Sequence, residues 1–226
     1  MGCSWHVSIA DGEVRAVTRP RQLDASLRLP FVPSEVPVRQ FVVCQGQTVS
    51  PDQLGSLDVG AILRVPGGYL VGYDSGEWGG GLYWYDEHGD LQRRLGNQNT
   101  SSILEVDGNV IVLSGLAHLG ADQGEVLVVQ QESGDWVVKR RLELPGAPDA
   151  HVLDADGSLL IVAGNSLVRI DDARRVVVLH EGDWWWVTSL VEWEDGIVMG
   201  MQNAVVQLTP DGNGYEETWF LRPWSD

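Results

Sequence analysis

Residues 103–115 read ILEVDGNVIVLSG: an apolar run, an Asp-Gly pair and a second apolar run. Asp107-Gly108 marks a hairpin turn, because Gly accepts positive φ freely and Asp tolerates it. The pattern recurs as ILRVPGGYLVGYD at 62–74, HVLDADGSLLIVAG at 151–164 and LVEWEDGIVMGM at 190–201. Each copy continues with a third run: GLYWYD at 81–86, EVLVVQQ at 125–131, SLVRID at 166–171 and AVVQLT at 204–209. A fourth run closes it: LQRRL at 91–95, DWVVKRRLEL at 135–144, RVVVL at 175–179 and YEETWFL at 215–221. Counted from Gly67, Asp107, Asp156 and Asp195, the copies start 40, 49 and 39 residues apart. Helical periodicity is nearly absent, so the pattern predicts an all-β chain.

Four short antiparallel strands per repeat of about 40 residues is the spacing of propeller blades. The chain resembles the small β-propeller superfamily. The resemblance lies in the repeat itself, since the Gly-His and Trp-Asp marks are missing and the double Gly of kelch repeats stands only at Gly67-Gly68. It implies a propeller of four to five four-stranded blades, with residues 61–226 supplying four of them. Residues 1–60 are less regular and form a divergent blade or a ring-closing segment. WHVSI and EVRAV around Asp11-Gly12 read as one hairpin, and SLRLPF (26–31) and RQFVVC (39–44) as two further strands. A stacked β-sandwich is the rival architecture.

Composition excludes several function classes. The 226 residues hold 15 basic and 32 acidic side chains, a net charge of -17. Residues 1–66 carry six Arg against six acids, so the whole excess lies beyond them. Duplex nucleic acid and anionic membrane both demand Lys and Arg, and neither suits this chain. A basic protein partner does, through steered association. Cys3 and Cys44 are too few for a disulfide framework and are read as reduced. The N-terminus has no basic stretch before an apolar run, and His6 stands where myristoylation wants Ser or Thr. These features lead to a cytoplasmic expectation.

Strand alternation sorts the connections. Turns between the first and second, and the third and fourth, strands of each repeat fall at one end, while the remaining connections fall at the other. That other end collects DSGEWGGG (74–81), the Gly115–Gly124 segment, and EGDWWW (181–186). The candidate partner-binding residues are therefore Asp74, Glu77, Trp78, His118, Asp122, Asp149, Glu181, Asp183, Trp184 and Trp186. Carboxylates steer a basic partner and exposed indoles anchor it. Taking 184–186 as strand, Trp184 is the member expected at the surface.

Known catalytic motifs are missing: no G-x-S-x-G, H-E-x-x-H, C-x-x-C or P-loop. The His residues are scattered, and Asp154-Ala-Asp156-Gly157 reads as a turn because Asn165, not Glu, ends the calcium-loop spacing. No cofactor or metal is expected. The leading expectation is a non-enzymatic binding propeller, an acidic inhibitor or immunity protein that occludes a basic partner such as a bacterial toxin. The alternative is a carbohydrate-binding or glycoside-active propeller. It uses Asp74 and Glu77 as its acid pair and Trp184–Trp186 as a stacking platform.

Overall fold

The computed structural model describes residues 61–87, 90–154, 157–171, 174–193, 196–212 and 214–221, together with the backbone of 3–10, 13–20, 43–44, 47–48 and 59–60. Its strands are β1 (Cys3–Ala10), β2 (Glu13–Pro20), β3 (Val43–Cys44), β4 (Gln47–Thr48), β5 (Val59–Val65), β6 (Gly68–Asp74), β7 (Gly80–Asp86), β8 (Leu91–Gly96), β9 (Thr100–Val106) and β10 (Asn109–His118). They continue as β11 (Ala121–Glu132), β12 (Asp135–Leu144), β13 (Pro148–Leu153), β14 (Leu159–Ala163), β15 (Ser166–Ile170), β16 (Val176–Glu181), β17 (Val187–Trp193), β18 (Gly196–Met201), β19 (Ala204–Pro210) and β20 (Tyr215–Leu221).

The protein is all-β. Strands β5 to β20 form four four-stranded sheets, β5–β8, β9–β12, β13–β16 and β17–β20, each in chain order. Among the described residues the pairings within them are antiparallel. This is the architecture the repeats predict, compatible with a small propeller of four blades. The predicted N-terminal hairpin is present as β1 paired with β2, Ala10 facing Glu13. Of RQFVVC, Val43–Cys44 pairs with Gln47–Thr48. Residues 26–31, 39–42 and the turn residues Asp11, Gly12, His88, Gly89, Asp156 and Asp195 lie outside the described residues.

The chain divides into two compact units, one of Leu29–Pro148 and one of Met1–Arg28 with Asp149–Asp226. In the first, sheets β5–β8 and β9–β12 bury a shared core of Val65, Leu70, Leu82, Trp84, Val110, Val112, Leu127, Val129 and Trp136. The opposite face of β5–β8 is also buried and is built from tyrosines: Tyr69, Tyr73, Tyr83 and Tyr85. The Tyr73 and Tyr85 hydroxyls meet at 3.2 Å, and burial raises the pKa of both phenols. In the second unit, Leu160, Val162 and Leu167 pack against Ile197, Met199, Val206 and Leu208. Fully burying each such side chain contributes about 1.5–3 kcal/mol.

In sheet β9–β12 all three hairpins close on two residues with positive φ: Asp107-Gly108, Leu119-Gly120 and Ser133-Gly134. The middle one corrects the sequence reading. Gly115–Gly124 is not a loop, because β10 and β11 stay paired through Gly115↔Gly124 as far as His118↔Ala121. The two glycines are packing devices. A Cβ on Gly124 would lie 2.0 Å from the Gly146 carbonyl oxygen, and one on Gly115 2.7 Å from Pro148 Cδ. The connection from β12 to β13 crosses this bare patch of backbone.

Glu125, 9% exposed, is matched by Arg141, whose Nη1 donates to both carboxylate oxygens at 2.9 Å while Nη2 donates to the Leu95 carbonyl. One guanidinium thereby ties β11 and β12 to β8. Gly124→Ala should lower stability by about 1–3 kcal/mol, since the crossing segment must move. Urea unfolding followed by tryptophan fluorescence checks this; Gly134→Ala, with no contact near its Cβ, carries only its positive-φ cost and separates the two effects.

Candidate functional site

The ten sequence-predicted residues fall into two sets, one in each unit. Asp74, Glu77, Trp78, His118 and Asp122 belong to Leu29–Pro148. Asp149, Glu181, Asp183, Trp184 and Trp186 belong to the other.

In the first unit the β6–β7 connection is a single 3-10 turn, Gly76–Trp78. Asp74 Oδ1 accepts from the Gly76 backbone N–H at 3.1 Å, and Asn99 Nδ2 donates to the Gly76 carbonyl at 2.7 Å. Gly80 serves close approach to the protein itself: a Cβ there would meet Tyr73 O at 2.3 Å and Asn99 Oδ1 at 2.4 Å. The turn carries Glu77 to 2.7 Å from His118 Nε2, at the end of β10. Strand alternation thus brings these two predicted residues together across two sheets. Beside them stand two exposed apolar side chains, Trp78 at 82% and Leu119 at 92%. Asp122 is engaged differently, its Oδ1 accepting from the Ala147 N–H at 2.6 Å, which pins the segment that crosses the bare glycines. Asp74 thus caps the turn, while Glu77 faces His118.

In the second unit Asp149, on β13, is exposed. The segment 182–186 is not strand, so residue alternation does not decide which indole faces water. Trp184, expected at the surface, is buried at 3%, whereas Trp185 is 49% and Trp186 69% exposed. The reason is Glu217. Its Oε1 accepts from Trp184 Nε1 and His180 Nε2, each at 3.1 Å, and its Oε2 accepts from Trp219 Nε1 at 2.8 Å. A buried indole needs a partner for its N–H, and this carboxylate supplies it. The Trp184 ring also lies against His180, with centroids 5.7 Å apart. Gly182 leaves room, since a Cβ there would fall 2.4 Å from Glu217 Oε1.

Around this hub opens a cleft of about 780 Å³, lined by Asn165, Ser166, His180, Glu181, Gly182, Asp183, Glu217 and Trp219. Trp219 stacks on Trp185, centroids 5.8 Å apart and planes 26° from parallel. The sequence reading found Glu181 and Asp183 but missed Glu217, Trp219 and His180. A signal was there: in YEETWFL, period-two alternation sets Tyr215, Glu217 and Trp219 on one face of β20, a carboxylate between two aromatics. A smaller hollow of about 340 Å³, with Arg64, Pro66, Glu105 and Trp136 on its walls, lies by the β5–β6 and β9–β10 turns.

Among the described residues no group of His, Cys, Asp and Glu is arranged to hold a metal ion, and no helix is long and apolar enough to cross a membrane. No family model and no curated protein matches the chain. Among solved structures it is similar to a protein of unknown function from Bacteroides caccae, at 12% identity and a TM-score of 0.41, over 76% of this chain and 70% of that one.

Glu217→Ala should cost about 2–4 kcal/mol, because it strands a buried indole N–H and removes charge-assisted bonds; urea unfolding checks it, and Glu217→Gln should cost less. Leu119 sits at φ 47° with its side chain in water. Leu119→Asn should therefore raise stability by about 1 kcal/mol, Asn being at home in that conformation, a gain readable as a higher melting temperature.

Proposed function

We propose that the protein binds a basic protein partner without chemistry of its own. One observation carries this reading. Trp185 and Trp186, 49% and 69% exposed, stand on the short connection that carries the exposed carboxylate of Asp183 and directly follows that of Glu181 at the end of β16. Large indoles held at the surface among acids supply the two parts of a recognition patch for an Arg- or Lys-rich surface: anchors that desolvate and charges that steer. The net charge of -17 adds long-range attraction for such a partner.

In its narrower form the reading is an inhibitor that covers a basic toxin. It rests on compact size, acidity and surface tryptophans, an analogy of charge and fold rather than of motif. Trp184 takes no part as an anchor, since its indole is committed to Glu217. The anchors are Trp185 and Trp186, with Trp78 a separate candidate in its own unit.

Affinity capture from a native lysate, followed by calorimetry on the captured protein, tests the reading. The partner should have a pI above about 9, and its affinity should fall as salt is raised. Trp186→Ala should weaken binding by about tenfold or more. An acidic partner, or an affinity untouched by both salt and Trp186→Ala, would sink it.

A further inference from the structure

We propose that the cleft of the second unit reads an arginine side chain, its guanidinium lying on the Trp219 indole with its N–H edge toward Glu181 and Asp183. This deepens the reading of a basic partner and rests on it.

The cleft is of ligand size. Its volume of about 780 Å³ exceeds one side chain and leaves room for the peptide that carries it. Its platform is built in advance. Trp219 is fixed at one edge by the 2.8 Å bond from Nε1 to Glu217 Oε2 and backed on one face by Trp185. The rim is fixed too, because the Gly182 N–H donates to the Asn165 carbonyl at 3.0 Å and holds the Glu181–Asp183 corner against the β14–β15 turn. A site whose parts are already in place loses little entropy when it is filled.

The carboxylates divide by role. Glu217 accepts from Trp184, His180 and Trp219, so it positions the aromatic walls. Glu181 and Asp183 flank Gly182, are exposed, and have no hydrogen-bond or ion-pair partner among the described residues. Ser166, only 5% exposed, also lines the cleft and makes no side-chain hydrogen bond among the described residues. The lining is thus a flat indole, two unneutralised acids and a hydroxyl that makes no hydrogen bond among the described residues.

Guanidinium is the group that answers all of these. It is planar and weakly hydrated, stacks on aromatic faces, and presents several N–H donors in its plane to carboxylates. An ammonium is a compact, strongly hydrated charge and uses the flat platform poorly. A neutral sugar could stack on the same indole but leaves both acids uncompensated.

The test titrates N-acetyl-arginine amide, its neutral isostere N-acetyl-citrulline amide, N-acetyl-lysine amide and a methyl pyranoside into the full chain. The indole N–H resonances of Trp185 and Trp219 are followed by NMR. The arginine amide should shift them saturably, with a dissociation constant in the millimolar range. Citrulline should bind about tenfold more weakly or not at all, and lysine more weakly than arginine. The Glu181→Gln/Asp183→Asn double variant, altered only at exposed positions, should lose about tenfold while keeping its circular-dichroism spectrum. Equal binding of citrulline, or saturation of the same resonances by the pyranoside, overturns the proposal. An arginine-rich dodecapeptide separates the two readings. Binding that leaves the Trp185 and Trp219 resonances unmoved refutes the cleft and keeps the basic partner, whereas no binding of either peptide or amide removes both.

Discussion

Leu160 and Ile161 are neighbours on β14, and both are sealed from water. Successive side chains leave opposite faces of a strand, so that sheet is covered on both sides. The same holds at Leu70 and Val71, at Ile111 and Val112, and at Val205 and Val206. Two-faced burial of the inner strands is the constraint on which the molecule depends. It leaves the polar and strained residues to the outer strands, the strand ends and the connections. Binding groups there are carried on a backbone fixed by packing, which is why a short connection such as 182–186 can hold one indole inside and two outside.

The sheets were legible because hydrophobic runs and Gly-containing turns speak about local geometry. All sixteen strands of the repeats coincide with a predicted run to within a few residues. Two glycines misled. Gly115 and Gly124 look like loop punctuation, yet they lie opposite one another in a continuous hairpin and make room for a crossing segment. A bare Cα needed for packing and one needed for a turn are identical in sequence.

The candidate sites were legible only in part, for a related reason. Alternation put Glu77 and His118 at the same end of their strands, where the structure sets them 2.7 Å apart. It failed at Trp184, because alternation holds only inside a strand and Trp186 has a φ of 50°. What buries Trp184 is a carboxylate 33 residues away on another strand. Such a partnership depends on two sheets meeting face to face, which no single run of residues records.

Lys139 is the sole lysine of the chain, and it sits on β12 in an ion pair with Glu132 on the adjacent strand. Arginine supplies every other basic side chain. An amine-directed reagent aimed at lysine side chains therefore has a single address, on an outer strand of the first unit, at a residue not named for recognition. A fluorophore, a surface tether or a crosslinker attached at that ε-amine holds each copy in one orientation and leaves the acidic cleft unmodified.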